Sequence, residues 1–103
     1  MPIGILYSAV GDTFIEAWMS REAYSGSRTN ANGYYNGMIN PLTYTDISGI
    51  VWYQGENNCG WPEQYRSLLS KMIDDMRVKF NDETLPFYVV SLPVYNHPYN
   101  WAF

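Results

Sequence analysis

The sequence of 103 residues is long enough for one domain and carries a formal net charge of −4, from 6 Lys and Arg against 10 Asp and Glu. Apolar residues make up 47% and charged residues 16%, which excludes intrinsic disorder because enough apolar surface is available to offset the entropy of folding. The acidic balance and the lack of a Lys and Arg cluster argue against a nucleic-acid partner. No apolar run in the sequence is long enough to span a membrane.

Residues that commonly bind metals or form disulfides are scarce. Cys59 is the only cysteine and His97 the only histidine, so we expect no intrachain disulfide and no zinc site of the usual Cys and His type. Residues 54–61 are only faintly similar to the papain-type signature, and Cys59 is expected to be an unreactive thiol. His97 follows the last predicted strand and is expected to be a surface residue and not a general base.

The N-terminal part is predicted to contain a strand, a turn and a short helix. Residues 3–8 are typical of a short buried strand, although one glycine weakens the pattern. Gly11 is predicted as a turn residue. Asp12 or Thr13 is predicted to cap a short helix that runs over residues 16–19. A strand followed by a glycine and a helix is a common way to build a site at the C-terminal end of a strand.

The middle of the chain changes from polar to strongly apolar. Residues 25–33 are rich in Ser, Asn and Gly and are predicted to form a loop. Residues 34–42 are predicted to hold one helical turn that ends at Asn40-Pro41, because the residue before a proline disfavours the α region. Residues 47–54 are β-branched and aromatic and predict a strand covered on both faces, as in a parallel sheet.

The clearest element is a helix over residues 62–80. Its apolar residues fall on one face of a 3.6-residue period: Tyr65, Leu68, Leu69, Met72, Ile73, Met76 and Phe80. Residues 86–92 then predict another buried strand. A strand, an amphipathic helix and a second strand in this order form a βαβ crossover, which implies a parallel sheet.

The densest group of polar side chains, residues 54–58, directly follows the first of these two strands. Residues just past the carboxyl end of a parallel strand line the ligand crevice. Gln54 or Asn57 could donate a hydrogen bond to a developing oxyanion, and Glu56 could orient a neighbour or act as a base. Gly55 allows a sharp turn or a close approach to a ligand. The alternative is an ordinary loop whose asparagine caps the following helix.

Gly11 is the second candidate, because its backbone N–H could join an oxyanion hole at the end of the first predicted strand. The alternative is a plain turn glycine. No serine lies in a Gly-x-Ser-x-Gly elbow, and no Gly-Asp-Ser or Gly-Gln-Ser-Asn segment is present. The residues therefore suggest parts of an oxyanion hole without an obvious nucleophile or base.

Four segments, in the same order, resemble the sialate O-acetylesterases of the SGNH hydrolase superfamily. Residues 50–58 (Ile-Val-Trp-Tyr-Gln-Gly-Glu-Asn-Asn) are similar to the family's Val-Ile-Trp-Tyr-Gln-Gly-Glu-Ser-Asn block. Residues 2–19 resemble its Pro-Ile-Gly-Leu…Trp-Gly-Gly-Thr-Pro-Ile-Glu-Ala-Trp block. Residues 35–42 resemble its Tyr-Asn-Gly-Met-Ile-Ala-Pro-Leu stretch, and residues 85–93 its Leu-Pro-Phe…Gln-Leu-Pro segment.

This resemblance implies an α/β fold of the three-layer, SGNH-hydrolase-like (flavodoxin-like) type, built on a parallel sheet that is incomplete here. It also implies that residues 1–103 form a single partial domain. It also implies a serine esterase, in which Ser attacks the acetyl carbonyl, His accepts its proton and Asp orients the His. The implied substrate is an O-acetylated sugar of the sialic acid type, and no cofactor is implied. Members are often secreted, periplasmic or lysosomal, but residue patterns leave the compartment and the oligomeric state open.

The family's oxyanion-hole and supporting roles carry over to five positions. Gly11 takes the place of the glycine in the second block. Gln54, Gly55 and Glu56 take third-block positions, and Asn57 falls where the superfamily's Gly-x-Asn-Asp asparagine would fall. Backbone N–H groups and a side-chain amide hold the oxyanion in such a site.

The chain departs from the family pattern in three places. The family's Gly-Gln-Ser-Asn and Asp-x-x-His blocks are missing, and Asp12 replaces the second glycine of Gly-Gly-Thr. We therefore expect little or no esterase activity from this chain alone. Two alternatives are a non-catalytic carbohydrate-binding or accessory module and one half of a split esterase.

Overall fold

The computed structural model describes residues 3–28, 30–55, 58 and 60–90; Glu56, Asn57, Cys59 and His97 lie outside the described residues. Its elements in chain order are a 3₁₀ helix (Ile15–Trp18), a π-helical turn (Tyr35–Ile39), a second 3₁₀ helix (Asn40–Tyr44), strand β1 (Ile50–Trp52), helix α1 (Pro62–Lys79) and strand β2 (Phe87–Val89). Among the described helices, none combines the length and apolar character needed to cross a membrane.

The predicted βαβ unit is the centre of this fold. β1 and β2 pair in parallel, with Ile50 opposite Phe87 and Trp52 opposite Val89, and α1 connects them. Both strands are shorter than the sequence predicted, with 3 residues each within the described part of the chain. Residues 91–92 of the second predicted strand lie outside the described residues. The parallel arrangement itself is confirmed.

Helix α1 has the predicted position and the predicted buried face. It begins at Pro62, whose missing N–H falls where no intrahelical bond is made. It ends just before Asn81, which adopts a left-handed backbone (φ 55) that asparagine tolerates. The buried residues of α1 are Tyr65, Leu68, Met72 and Met76. They share one core with the first 3₁₀ helix and with Trp52 of β1.

Within residues 3–28, 30–55, 58 and 60–90, one face of the small sheet has exposed side chains. Side chains alternate along a strand, so Trp52 points to the α1 side while Val51 and Tyr53 point away from it. Val51, Tyr53 and Tyr88 are all exposed. Parallel sheets are normally covered on both faces, and the sequence predicted this for β1, but in the described part of the chain only the α1 face is covered.

The prediction of a buried strand over residues 3–8 is wrong. These residues adopt no regular secondary structure, and Ile5 is 86% exposed. An apolar segment forms a strand only when a neighbouring strand accepts its backbone hydrogen bonds. Within the described residues, the sheet contains β1 and β2 alone, and residues 3–8 pair with neither.

The predicted short helix is present, but its predicted caps are wrong. The 3₁₀ helix Ile15–Trp18 is preceded by Phe14 and has no side-chain cap. The Thr13 hydroxyl instead donates to the Val10 carbonyl and accepts from the Trp18 indole, both at 3.0 Å. Asp12 takes the left-handed backbone (φ 63), so the residue that replaces the family's second glycine keeps a conformation typical of glycine.

The helical turn predicted before Asn40-Pro41 continues past the proline, so its predicted end is wrong. Asn40 adopts the α region and its N–H donates to the Tyr35 carbonyl. Pro41 then lies in the first turn of the second 3₁₀ helix, which runs to Tyr44. Proline is tolerated there because the N–H it lacks would have no intrahelical partner.

Two side-chain contacts tie the segment after the first 3₁₀ helix to α1. Asp75 accepts hydrogen bonds from the Ser20 hydroxyl at 2.7 Å and from the Ser20 N–H at 3.2 Å. Lys79 forms an ion pair with Glu22 at 3.2 Å. The pKa of Glu22 is lowered by a backbone hydrogen bond and, to a smaller extent, by Lys79. These contacts hold the buried 3₁₀ helix against α1.

Replacing Met72 by alanine should test the packing of α1. Met72 is 0% exposed, so Met72→Ala leaves a cavity and should lower the free energy of unfolding by about 2–4 kcal/mol. Urea unfolding followed by tryptophan fluorescence measures this change. The exposed neighbour provides the control, since Lys71→Ala should change stability by less than about 0.5 kcal/mol. Equal effects of the two variants would contradict this packing.

Candidate functional site

The carboxyl end of β1 lies against the segment that contains Gly11. Gln54 donates from Nε2 to the carbonyl oxygen of Thr13 at 2.9 Å. This contact joins positions that are 41 residues apart in the chain. The two segments assigned to the oxyanion hole from sequence are therefore neighbours in the fold.

The two candidate glycines have different surroundings. Gly55 is buried and has φ 140, a backbone conformation that essentially only glycine adopts. Gly11 is exposed, with open space around its Cα, and does not have a positive φ. Gly55 thus provides the sharp turn that ends β1, and the left-handed turn after the N-terminal segment falls on Asp12.

The side-chain amide of Gln54 is oriented by its partners. Besides Thr13, its Nε2 donates to Oδ1 of Asn58 at 3.1 Å. A primary amide nitrogen carries two hydrogens, so both are engaged. Gln54 Oε1 is buried and has no hydrogen-bond partner among the described residues. In this arrangement Gln54 has no hydrogen left to donate to an oxyanion, which favours a supporting role for it.

A buried carboxylate, which the sequence analysis assigned only to a short helix, organises this region. Glu16 is 0% exposed. One carboxylate oxygen accepts from Arg28 Nε at 2.8 Å and the other from Asn58 Nδ2 at 2.9 Å. The Glu16 carbonyl also accepts from the Asn32 N–H at 3.0 Å. A buried charge is tolerated only when it is paired and hydrogen-bonded, and Glu16 meets both conditions.

Asn58 connects this carboxylate to the end of β1. Its Nδ2 donates to Glu16, so its Oδ1 faces the other way and accepts from the Ile15 N–H at 2.9 Å and from Gln54. The side chain of Asn58 therefore does not cap α1, which has no side-chain cap. We call Glu16, Arg28, Asn58 and Gln54 the Glu16 network.

Sequence reasoning missed Glu16 and Arg28 for an identifiable reason. Glu16 lies in a predicted short helix, and the local sequence gives no sign that its side chain is buried. Arg28 lies in a Ser-, Asn- and Gly-rich segment without any pattern. The signal that was available for Glu16 is its place in the Ile-Glu-Ala-Trp motif, which the family resemblance already covers.

The structure gives no geometry for four other residues considered from the sequence. Glu56, Asn57, Cys59 and His97 lie outside the described residues. Among residues 3–28, 30–55, 58 and 60–90, no group of three or more His, Cys, Asp or Glu side chains is arranged to hold a metal ion.

Moving the negative charge from position 16 to position 58 should test the network. Glu16→Gln should lower the free energy of unfolding by about 2–3 kcal/mol, less than for a fully buried pair because Arg28 is 21% exposed. Asn58→Asp should also destabilise, since two carboxylates would then face each other. The double variant restores a donor opposite an acceptor, and we expect a favourable coupling energy of about 2 kcal/mol.

Chemical denaturation of the four proteins measures this coupling. Glu63→Gln is the control, because Glu63 forms an exposed ion pair with Arg66, and it should change stability by less than about 0.5 kcal/mol. Strictly additive effects of Glu16→Gln and Asn58→Asp would show that the two side chains do not interact.

Comparison with known proteins places this arrangement in a family. A profile for carbohydrate esterases described as sialic acid-specific acetylesterases matches residues 1–102. The sialate O-acetylesterases of Homo sapiens and Pongo abelii are each 30% identical over 88% of this chain and 22% of their own length. The sialate O-acetylesterase of Mus musculus is 26% identical over 91% of this chain.

A solved structure extends the comparison to the fold. A carbohydrate acetylesterase from Xanthomonas citri superposes with a TM-score of 0.71 at 38% identity, over 78% of this chain and 19% of that protein. The chain thus spans about a fifth of the length of these relatives, and its α/β fold with a small parallel sheet corresponds to an incomplete SGNH-like domain. On the match over residues 1–102, the chain belongs to the family of sialic acid-specific carbohydrate acetylesterases.

Proposed function

We propose that this chain forms part of a carboxylic ester hydrolase that removes O-acetyl groups from sialic acid or a related sugar. The observation that carries the proposal is the direct contact between the two family motifs. Gln54 of the Trp-Tyr-Gln-Gly-Glu motif hydrogen-bonds to Thr13, and Asn58 hydrogen-bonds to Glu16 of the Ile-Glu-Ala-Trp motif. In the proposed enzyme, this contact supports the groups that bind the oxyanion.

In the proposed enzyme, this chain contributes the donors to the oxyanion, and additional polypeptide contributes the catalytic triad. The sequence contains neither a Gly-Gln-Ser-Asn nor an Asp-x-x-His segment, so the nucleophilic Ser, the His and its Asp come from residues outside it. Backbone N–H groups around Gly11 and Gly55, together with Asn57, are the proposed donors to the oxyanion. Gln54 and Glu56 have supporting roles, and Gln54 acts by holding the Thr13 and Asn58 segments together.

The tetrahedral intermediate explains why such support matters. Negative charge develops on the carbonyl oxygen of the ester as the tetrahedral intermediate forms. Hydrogen-bond donors stabilise this charge best when they are already in place. The Glu16 network holds the residues before Gly55 and after Gly11 in one arrangement without the substrate. Preorganised backbone N–H groups of this kind lower the barrier without reorganising during the reaction.

A chimera should test this function. The matching segment of the Xanthomonas citri carbohydrate acetylesterase is replaced by this chain, and hydrolysis of p-nitrophenyl acetate and of an O-acetylated sialic acid is measured. We expect the chimera to retain turnover within about 100-fold of the parent, because removal of one oxyanion donor costs about that much or more. The isolated chain should show no turnover.

Two controls accompany the chimera. The same chimera with the host's nucleophilic serine replaced by alanine should be inactive. A folded chimera that binds the sugar but does not hydrolyse either ester would contradict the proposal and would favour a non-catalytic carbohydrate-binding module. Robust turnover by the isolated chain would contradict the assignment of the serine to other polypeptide.

A further inference from the structure

Arg28 lies at the end of the Glu16 network that is farthest from Gln54, beside a surface hollow. The hollow has a volume of about 350 Å³ and is lined by Tyr24, Ser27, Arg28 and Gln64. The Arg28 side chain is 21% exposed, so one part of it is buried and another reaches solvent.

The buried part of the guanidinium is held tightly. Its Nε donates to Glu16 at 2.8 Å, and its Cζ lies 4.6 Å from the ring centre of Phe14 and 4.5 Å from that of Trp61. The two ring centres are 6.5 Å apart with planes at 61°, so the rings form a corner around the guanidinium. Cation–π contact and the ion pair together restrict the rotation of this side chain.

The outer part of the guanidinium has unused hydrogen-bonding capacity. Nη2 lies 3.4 Å from Oε1 of Gln64, a long contact, and Nη1 has no hydrogen-bond partner among the described residues. Arginine carries five N–H donors, and two of them are used in these contacts with Glu16 and Gln64, so three have no acceptor among the described residues. Tyr24 and Ser27, which both carry a hydroxyl, line the same hollow. Tyr24 accepts from the Arg28 N–H at 3.2 Å, which leaves its own O–H free to donate.

We propose that this hollow is a binding subsite for the carboxylate of an acidic sugar, with Arg28 as its main ligand. A guanidinium edge matches a carboxylate and makes charge-assisted hydrogen bonds to it. The hydroxyls of Tyr24 and Ser27 and the amide of Gln64 would bind the sugar hydroxyls beside it. The ring of Trp61 is half exposed and adds an aromatic surface at the rim.

The inference deepens the proposed function, on which its choice of a sugar acid rests. An esterase for neutral sugars would not need such a subsite, whereas sialic acids carry a carboxylate at neutral pH. The Glu16 network connects the subsite to the end of β1 through Asn58 and Gln54. In this proposal Arg28 binds the acid group of the substrate and does not take part in the chemical step.

Binding of a sialic acid and of its uncharged derivative tests the subsite directly. The ¹⁵N-labelled full chain is titrated with the methyl glycoside of N-acetylneuraminic acid and, separately, with the methyl ester of that glycoside. We expect saturable shifts of the Arg28 Nε–H and Trp61 indole signals with the acid. Binding of the ester should be at least about tenfold weaker, because a charge-assisted hydrogen bond is lost.

A variant at the rim separates this role from the structural role of Arg28. Gln64→Glu places a carboxylate within reach of Nη2, where it would compete with the ligand while leaving the Glu16 pair in place. Gln64 is exposed in the first turn of α1, where an acidic residue is also favourable, so the fold should be retained. We expect the acid to bind at least about fivefold more weakly to Gln64→Glu, and equally well to the control Glu63→Gln.

Each remaining outcome overturns the subsite. Equal binding of acid and ester would show that the carboxylate is not recognised. Absence of binding by both, or unchanged binding to Gln64→Glu, would leave Arg28 as a structural partner of Glu16 alone. The active chimera described above would still support the esterase in that case, so failure of the subsite is distinguishable from failure of the proposed function.

Discussion

The arrangement of this protein depends on one buried carboxylate. Glu16 has no exposed surface, and removing a carboxylate from water costs several kcal/mol unless partners replace the lost hydration. Arg28 supplies the opposite charge and Asn58 supplies a second donor. These partners come from segments that are far apart in the chain, so satisfying one charge brings the separate segments together.

The same carboxylate determines the orientation of two amides. A carboxylate only accepts hydrogen bonds, so Asn58 must present its nitrogen to Glu16 and its oxygen to Gln54. Gln54 must then present its nitrogen, which also bonds to Thr13, and its oxygen is left without a described partner. Because both hydrogens of its amide are engaged, Gln54 supports the structure at the end of β1. The proposed donors to the oxyanion are therefore backbone N–H groups and Asn57.

The two faces of the small sheet differ in their exposure. α1 covers one face of β1 and β2, and Val51 and Tyr88 remain exposed on the other. Parallel sheets are stable when both faces are covered. The segment matched here is between about a fifth and a quarter of the length of these relatives, and the Xanthomonas citri structure has a similar fold over 78% of this chain. Among the described residues, the second face of the sheet and residues 3–8 have no strand or helix packed against them as a regular layer.

Helix α1 and the parallel βαβ unit could be predicted from the sequence because a 3.6-residue period and two β-branched runs are local patterns. The family motifs likewise located the residues around Gln54. The burial of Glu16 and its pairing with Arg28 could not be predicted, since neither residue lies in a pattern that indicates its partner. Residues 3–8 have the composition of a strand, yet strand formation requires a neighbour, and only the tertiary structure determines whether one is present. Local periodicity thus determined α1 and the parallel pairing around it, whereas contacts between residues some 40 positions apart determined the candidate site.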